Sequence, residues 1–254
     1  MKSQQGFSLI EMAFVLVIVT LLLGGLLVPF TTQVEQKRIA ETQKAMEEIK
    51  EALIGYGLSH TSTGSPSLPY LPCPDATVTP PPNCASCIAN DGREDRLATG
   101  TCAVLEGNLP WVDLGVSPAD AWGNRFHYRV TAAFANSATG FGLSGNGDIT
   151  ICSTYTNCPV SNKVADKIPA LILSYGKNGY GSINSNRAAG DTTTIPCPTG
   201  GCSADESENQ NVDNNFVSRT ITPAGAPAGE FDDLLTWVSP NVLFNRMVAA
   251  GKLP

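Results

Sequence analysis

The sequence predicts an α+β protein in which a long N-terminal helix, half membrane-suited and half amphipathic, packs on a small antiparallel β-sheet head with disulfide-tied loops. Three observations predict this class. Residues 7–30 are an apolar run with a single charge, and residues 31–58 continue it with helical periodicity. Residues 59–254 then alternate short apolar runs with Gly- and Pro-rich turns, and hold all eight cysteines. At 254 residues the chain is long enough for one or two domains with a core of ordinary size. The expected organisation is a leader at 1–6, a transmembrane helix at 7–30, its amphipathic continuation at 31–58, and a globular head at 59–254.

The leader, MKSQQG, is polar and carries one Lys. The run from Phe7 to Phe30 follows at once, with Glu11 as its only charge. As a helix it spans about 36 Å at ~1.5 Å per residue, enough to cross a bilayer. A secretory signal places several positive charges before a shorter apolar core and its cleavage site after that core. Here Gly6 precedes the run, so cutting there would leave the whole apolar helix on the mature chain. A carboxylate inside a bilayer costs roughly 3 kcal/mol and marks a partner. Cleavage after Gly6 creates an amine on Phe7, four positions before Glu11, and the amine of one subunit can meet Glu11 of the next. The bland alternative is a Glu near the membrane edge that snorkels to water.

The segment Gly6-Phe7-Ser8-Leu9-Ile10-Glu11, followed by a long apolar helix, closely resembles the prepilin-type N-terminus of type IV pilins and type II secretion pseudopilins. The resemblance implies that a prepilin peptidase cuts after Gly6 and methylates Phe7, and that Glu11 guides subunit docking. It also implies the partners: other pilin or pseudopilin subunits, the peptidase, an inner-membrane assembly platform and membrane lipid. Gly24-Gly25 and Pro29 look like that family's helix-softening positions, since a proline removes a helical hydrogen bond.

Beyond residue 30, Ile39, Thr42, Met46, Ile49, Leu53 and Tyr56 recur at alternating spacings of three and four, as one face of an amphipathic helix requires. Lys37/Glu41 and Lys44/Glu48 can pair on the other side. Gly55 and Gly57 are stop signals, so the helix is expected over about 8–54, roughly 70 Å in all.

Residues 59–90 read as a loop because Pro, Ser and Thr dominate them. Arg125–Thr131 alternates Phe126, Tyr128 and Val130 with Arg125, His127 and Arg129, as a half-buried strand does. Asp120 and Trp122-Gly123-Asn124 supply the turn before it. Asp148–Cys152, Ala170–Ser174 and Phe216–Thr222 are further strand candidates. Phe231–Ser239 reads as a short helix or turn. Ser239-Pro240 opens a last helix over about 240–250. Asp120 to Tyr128 and Ser174 to Gly179 resemble pieces of the head of the major type II secretion pseudopilin and its minor-pilin relatives. The cysteine-rich segment 73–102 and the segment 231–254 depart from that compact head, which favours a larger, less abundant pilin-like protein.

The cysteines at 73, 84, 87, 102, 152, 158, 197 and 202 suit disulfides in an exported domain. Cys84/Cys87, Cys152/Cys158 and Cys197/Cys202 can each close a small loop, leaving Cys73 and Cys102, but eight cysteines allow 105 pairings. The rival reading is a metal site on Cys84-x-x-Cys87, for which no second C-x-x-C and no nearby His completes the shell.

The head is acidic: the chain carries −7, and residues 59–254 hold 17 Asp/Glu against 11 Lys/Arg. That balance argues against a phosphate-backbone binder, and no nucleic acid is expected. The loop DESENQNVDNNF offers calcium carboxylate and amide oxygens, best from Asp205, Glu208, Asn209 and Asp213, though without the EF-hand order. Major pseudopilins of this kind hold calcium in loops following the Ser-Tyr-Gly strand, and the rival is a solvated acidic loop. His60 reads as a surface histidine, and His127, between two arginines, has no nucleophile or carboxylate at short spacing. Gly176–Gly181 lacks the Gly-Lys-Ser/Thr ending of a phosphate loop, and no G-x-S-x-G elbow occurs.

Three functions therefore compete. The first is a structural filament subunit, a minor pilin or pseudopilin of a type IV pilus or type II secretion filament. It would be single-pass in the inner membrane with a periplasmic head before it enters the pilus. The second is a membrane-anchored, non-polymerising adhesin or calcium-binding module. The third is an exported enzyme on a tether, which no catalytic constellation supports.

Overall fold

The computed structural model describes residues 8–78, 84, 87–158 and 160–254, with the side chains of 23–31 outside that description. The chain divides into two compact units, Met1–Glu41 and Thr42–Pro254. One helix, α1 (Leu9–Ser59), runs from the first into the second, and its backbone stays helical through Gly24-Gly25 and Pro29.

In the first unit every described side chain from Ser8 to Leu22 is exposed. Leu9 is 92 % and Leu21 71 % exposed. A helix apolar on all sides is stable only inside lipid or among other apolar helices. Lys37 reaches Glu41 at 3.6 Å on this unit's surface.

In the second unit the expected stripe of α1 is buried at Thr42, Met46, Ile49, Leu53 and Tyr56. Thr42 Oγ1 accepts from the Ala121 backbone N–H at 3.2 Å, and Glu51 pairs with Arg246 at 3.1 Å. Lys44 and Glu48 form the other i,i+4 pair at 3.7 Å. The helix runs past both expected stop glycines to Ser59, whose hydroxyl caps the Gly55 and Tyr56 carbonyls. Gly57 does not end the helix, and it lies against Met247: a Cβ there would be 2.9 Å from Cε, the movable end of that side chain.

The head is built from β1 (Glu106–Asn108), α2 (Trp111–Leu114), β2 (His127–Val130), β3 (Ile149–Cys152), β4 (Lys163–Ile168), β5 (Ala170–Ser174), α3 (Ala204–Glu208), β6 (Asn215–Val217), β7 (Leu234–Val238) and α4 (Pro240–Ala249). One sheet is antiparallel, in the order β1-β2-β5-β7. A second sheet, β4-β3-β6, pairs β3 with β4 antiparallel and β3 with β6 in parallel. The head thus has two sheets, one of them mixed, where a single small antiparallel sheet was expected.

Register places His127 opposite Leu173 and Arg129 opposite Leu171, so these four share a face. Leu171, Leu173 and Tyr175 form one core with Ile149, Ile151, Ile168 and Phe216 of the second sheet. Phe126, Tyr128 and Val130 point the opposite way and are fully buried as well. β2 is therefore covered on both faces rather than half-buried. Within Phe231–Ser239, expected as a helix or turn, Leu234–Val238 forms β7 because these residues pair along the whole of β5. The final helix begins at Pro240 with Ser239 as its N-cap residue, as the sequence predicts.

Candidate functional site

Gly6 and Phe7 lie outside the described residues. The described segment begins with Ser8, which occupies the N-cap position of α1, and Glu11 stands three residues on. The Ser8 backbone N–H donates to Glu11 Oε2 at 2.8 Å, and the Glu11 N–H donates to Ser8 Oγ at 3.3 Å. This is a reciprocal capping box, which satisfies two of the helix's orphan donors. The Ser8-x-x-Glu11 spacing was a signal for it, and sequence reasoning missed it. The carboxylate therefore has a local partner in the single chain. Around it Leu9, Ile10, Met12 and Phe14 are all more than half exposed. Among the described residues no helix is long and apolar enough to cross a membrane, and the span expected at 7–30 lies partly outside those residues.

In the head, the turn Asp120-x-Trp122-Gly123-Asn124 is tied to the end of β5. Asp120 Oδ1 accepts from the Trp122 and Asn124 N–H groups, and Oδ2 accepts from Ser174 Oγ at 2.6 Å. Asn124 Nδ2 donates to the Gly176 carbonyl at 3.1 Å. Gly123 has φ +87°, which favours glycine there. Four disulfides join Cys73–Cys102, Cys84–Cys87, Cys152–Cys158 and Cys197–Cys202.

The four residues singled out for calcium do not converge. Asp205 pairs with Arg219 at 2.6 Å and accepts from Thr154 Oγ1 and the Tyr155 N–H. Glu208 accepts from Asn211. Asn209 is buried and bridges the Val217 backbone to Asp233. Asp213 accepts from Asn215.

A different set does converge: one carboxylate oxygen from each of Glu206, Asp232 and Asp233 lies within 4.8 Å of the others. Asn178 fixes two of them, donating its Nδ2 to Glu206 and its backbone N–H to Asp232. Oδ1 of Asp232 is buried with no hydrogen-bond partner among the described residues. Burial, reinforced by the charges of Glu206 and Glu230, pushes Asp232 up to about 7. Burial also raises Glu206, and raises Asp233 well above the usual carboxylate range. Gly176 lets the chains meet here, since a Cβ on it would lie 2.2 Å from the Asp232 carbonyl oxygen. Three oxygens of this kind can ligate a hard divalent cation, whose charge would relieve the repulsion. Sequence reasoning missed Asp232 and Asp233 because they lie far along the chain from the acidic loop.

His60 stacks on Tyr56 with centroids 3.8 Å apart. His127 pairs with Glu106 at 3.0 Å, a carboxylate distant in sequence that spacing did not reveal.

Residues 1–27 match the family model described as the prokaryotic N-terminal methylation motif. The match supports membership of the N-terminus in the type IV pilin-like and pseudopilin family, and implies processing by a prepilin peptidase and assembly with other pilin subunits. No curated protein and no solved structure gives a significant match to the chain.

Proposed function

We propose that this protein is a minor pilin or pseudopilin of a type IV pilus or type II secretion filament. It waits as a single-pass protein of the inner membrane with its head in the periplasm. Cleavage after Gly6 and methylation of Phe7 prepare it, and an assembly platform then extracts it into a helical filament. The observation that carries this reading is the methylation motif joined to a helix whose described apolar side chains from Leu9 to Leu22 are exposed all round. In a filament those side chains pack on neighbouring helices. Families with this motif supply structural subunits rather than enzymes. The disulfide-tied segment 73–102 and the segment 231–254, which supplies β7 and α4, enlarge the head and favour a low-abundance position over the shaft.

The capping box sharpens the test. Glutamine completes a capping box as glutamate does, but carries no charge. Glu11→Gln therefore keeps the cap and removes the ion that would meet the Phe7 amine of a neighbour. Both Glu11→Gln and Glu11→Ala are expected to insert in the membrane and to be lost from sheared filaments. Normal incorporation of Glu11→Gln would show that Glu11 serves only the helix start. A divalent cation such as calcium at Glu206, Asp232 and Asp233 is the second part of this reading, favoured by the unpartnered Asp232 oxygen.

A further inference from the structure

A cleft of about 490 Å³ opens on the His127–Arg129 face of the first sheet. The volume lies in the range of small-ligand sites. Its apolar wall includes Val104, Leu105, Ile183 and Val212. Val212 is 89 % exposed, an aliphatic side chain held at the mouth without cover among the described residues.

The ionisable groups of the wall are Glu106, Asp213, Arg129 and His127. Arg129 is engaged at both terminal nitrogens. It donates to the Val130 carbonyl, to Asp148 at 3.2 Å and to Asn214, and its side chain is 6 % exposed. Glu106 is the opposite case. Its Oε1 meets His127 Nε2, but Oε2 is buried with no hydrogen-bond partner among the described residues. Arg129 Nε lies 3.8 Å from Oε2, beyond hydrogen-bond reach. The Glu106 side chain is only 9 % exposed, so the spare acceptor is desolvated. A buried carboxylate oxygen without a donor is costly, and a charged donor entering the cleft removes that cost.

We infer that this cleft binds an aliphatic primary ammonium group, whose hydrocarbon lies along Val104, Leu105, Ile183 and Val212 while its nitrogen donates to Glu106 Oε2. A free diamine and a lysine side chain share this chemistry. The inference does not depend on the filament reading.

Titration calorimetry on the full-length protein in detergent micelles tests it. The probes are 1,5-diaminopentane and Nα-acetyl-lysine methylamide, with the norleucine analogue and glutarate as the neutral and anionic comparators. Binding of either amine, and of neither comparator, is the expected result. Tighter binding of the lysine probe assigns the cleft to a protein segment, and tighter binding of the diamine assigns it to a free amine. Glu106→Gln should weaken the amine at least about tenfold, because a charge-assisted bond becomes a neutral one. Val212→Trp at the exposed mouth cannot disturb the core, and should block binding with the melting temperature unchanged. The proposal is overturned if neither amine binds at about 10 mM, if norleucine binds as tightly as lysine, or if both variants bind like the parent.

Discussion

Replacing Asp75 by Asn tests how buried carboxylates set the pH response of the head. Asp75 is fully buried, and its backbone pairs with Asn108 of β1. Its Oδ2 accepts from the Gly92 N–H at 2.8 Å, while Oδ1 has no partner among the described residues. Burial, with the nearby Asp91 and Asp95 charges, pushes its pKa up to about 8. An unfolded Asp titrates near ~3.9. Between those values the folded chain holds a proton that the unfolded chain has released, so stability falls as pH rises through the window. Each pH unit there costs about 1.4 kcal/mol for one such group. From pH 5 to pH 8 the loss from Asp75 is about 3.6 kcal/mol. Asn mimics the protonated acid and does not titrate. Thermal unfolding of parent and variant, with disulfides intact, should show similar stability at pH 5. At pH 8 the variant should melt about 7–14 °C above the parent, at roughly 2–4 °C per kcal/mol for a unit of this size. Asp232, raised to about 7, retains part of the pH dependence in both proteins. An equal melting difference at both pH values would refute the reasoning. So would a variant less stable at pH 8, which would mean that the charged form is held by Arg125, whose guanidinium sits 3.9 Å over the Trp111 ring.

Two further predictions concern the head. Removing Cys73–Cys102, which closes a separation of 29 residues, should cost about 3.6 kcal/mol, against about 1.6 kcal/mol for Cys84–Cys87 at a separation of 3, as denaturant midpoints of the two Cys→Ala pairs will show. Millimolar calcium should raise the melting temperature of the parent and not of Asp232→Asn; no shift in the parent would remove the cation from the account.

How much of this was legible in the sequence depended on whether the deciding contact was local. The α1 stripe was readable because Thr42, Met46, Ile49, Leu53 and Tyr56 repeat with the helix period, and all are buried. β2 was readable from its alternation, but the fate of its polar face was not. Arg129 looked like a solvent-facing residue, yet it is 5 % exposed and paired with Asp148 near the start of β3. β4 went unseen because Lys163, Asp166 and Lys167 give it the look of a loop, a pattern that edge strands tolerate. β7 reads as a helix or turn in the sequence because Leu234-Leu235 do not alternate, and only pairing with β5 decides it. The acidic loop contributes Glu206 to the converging carboxylates, but the other two, Asp232 and Asp233, come from a segment that the fold alone brings to it.

The central claim is that the chain is processed as a prepilin and enters a filament. Mass spectrometry of the N-terminal peptide, on protein from fibres sheared off the cell surface and from the envelope, tests it most directly. The account predicts a peptide beginning with N-methylated Phe7, in sheared fibres for a pilus subunit and in the envelope for a pseudopilus or initiating subunit. A peptide that still carries Met1–Gly6 in both fractions would contradict it and return the chain to the tethered-module reading.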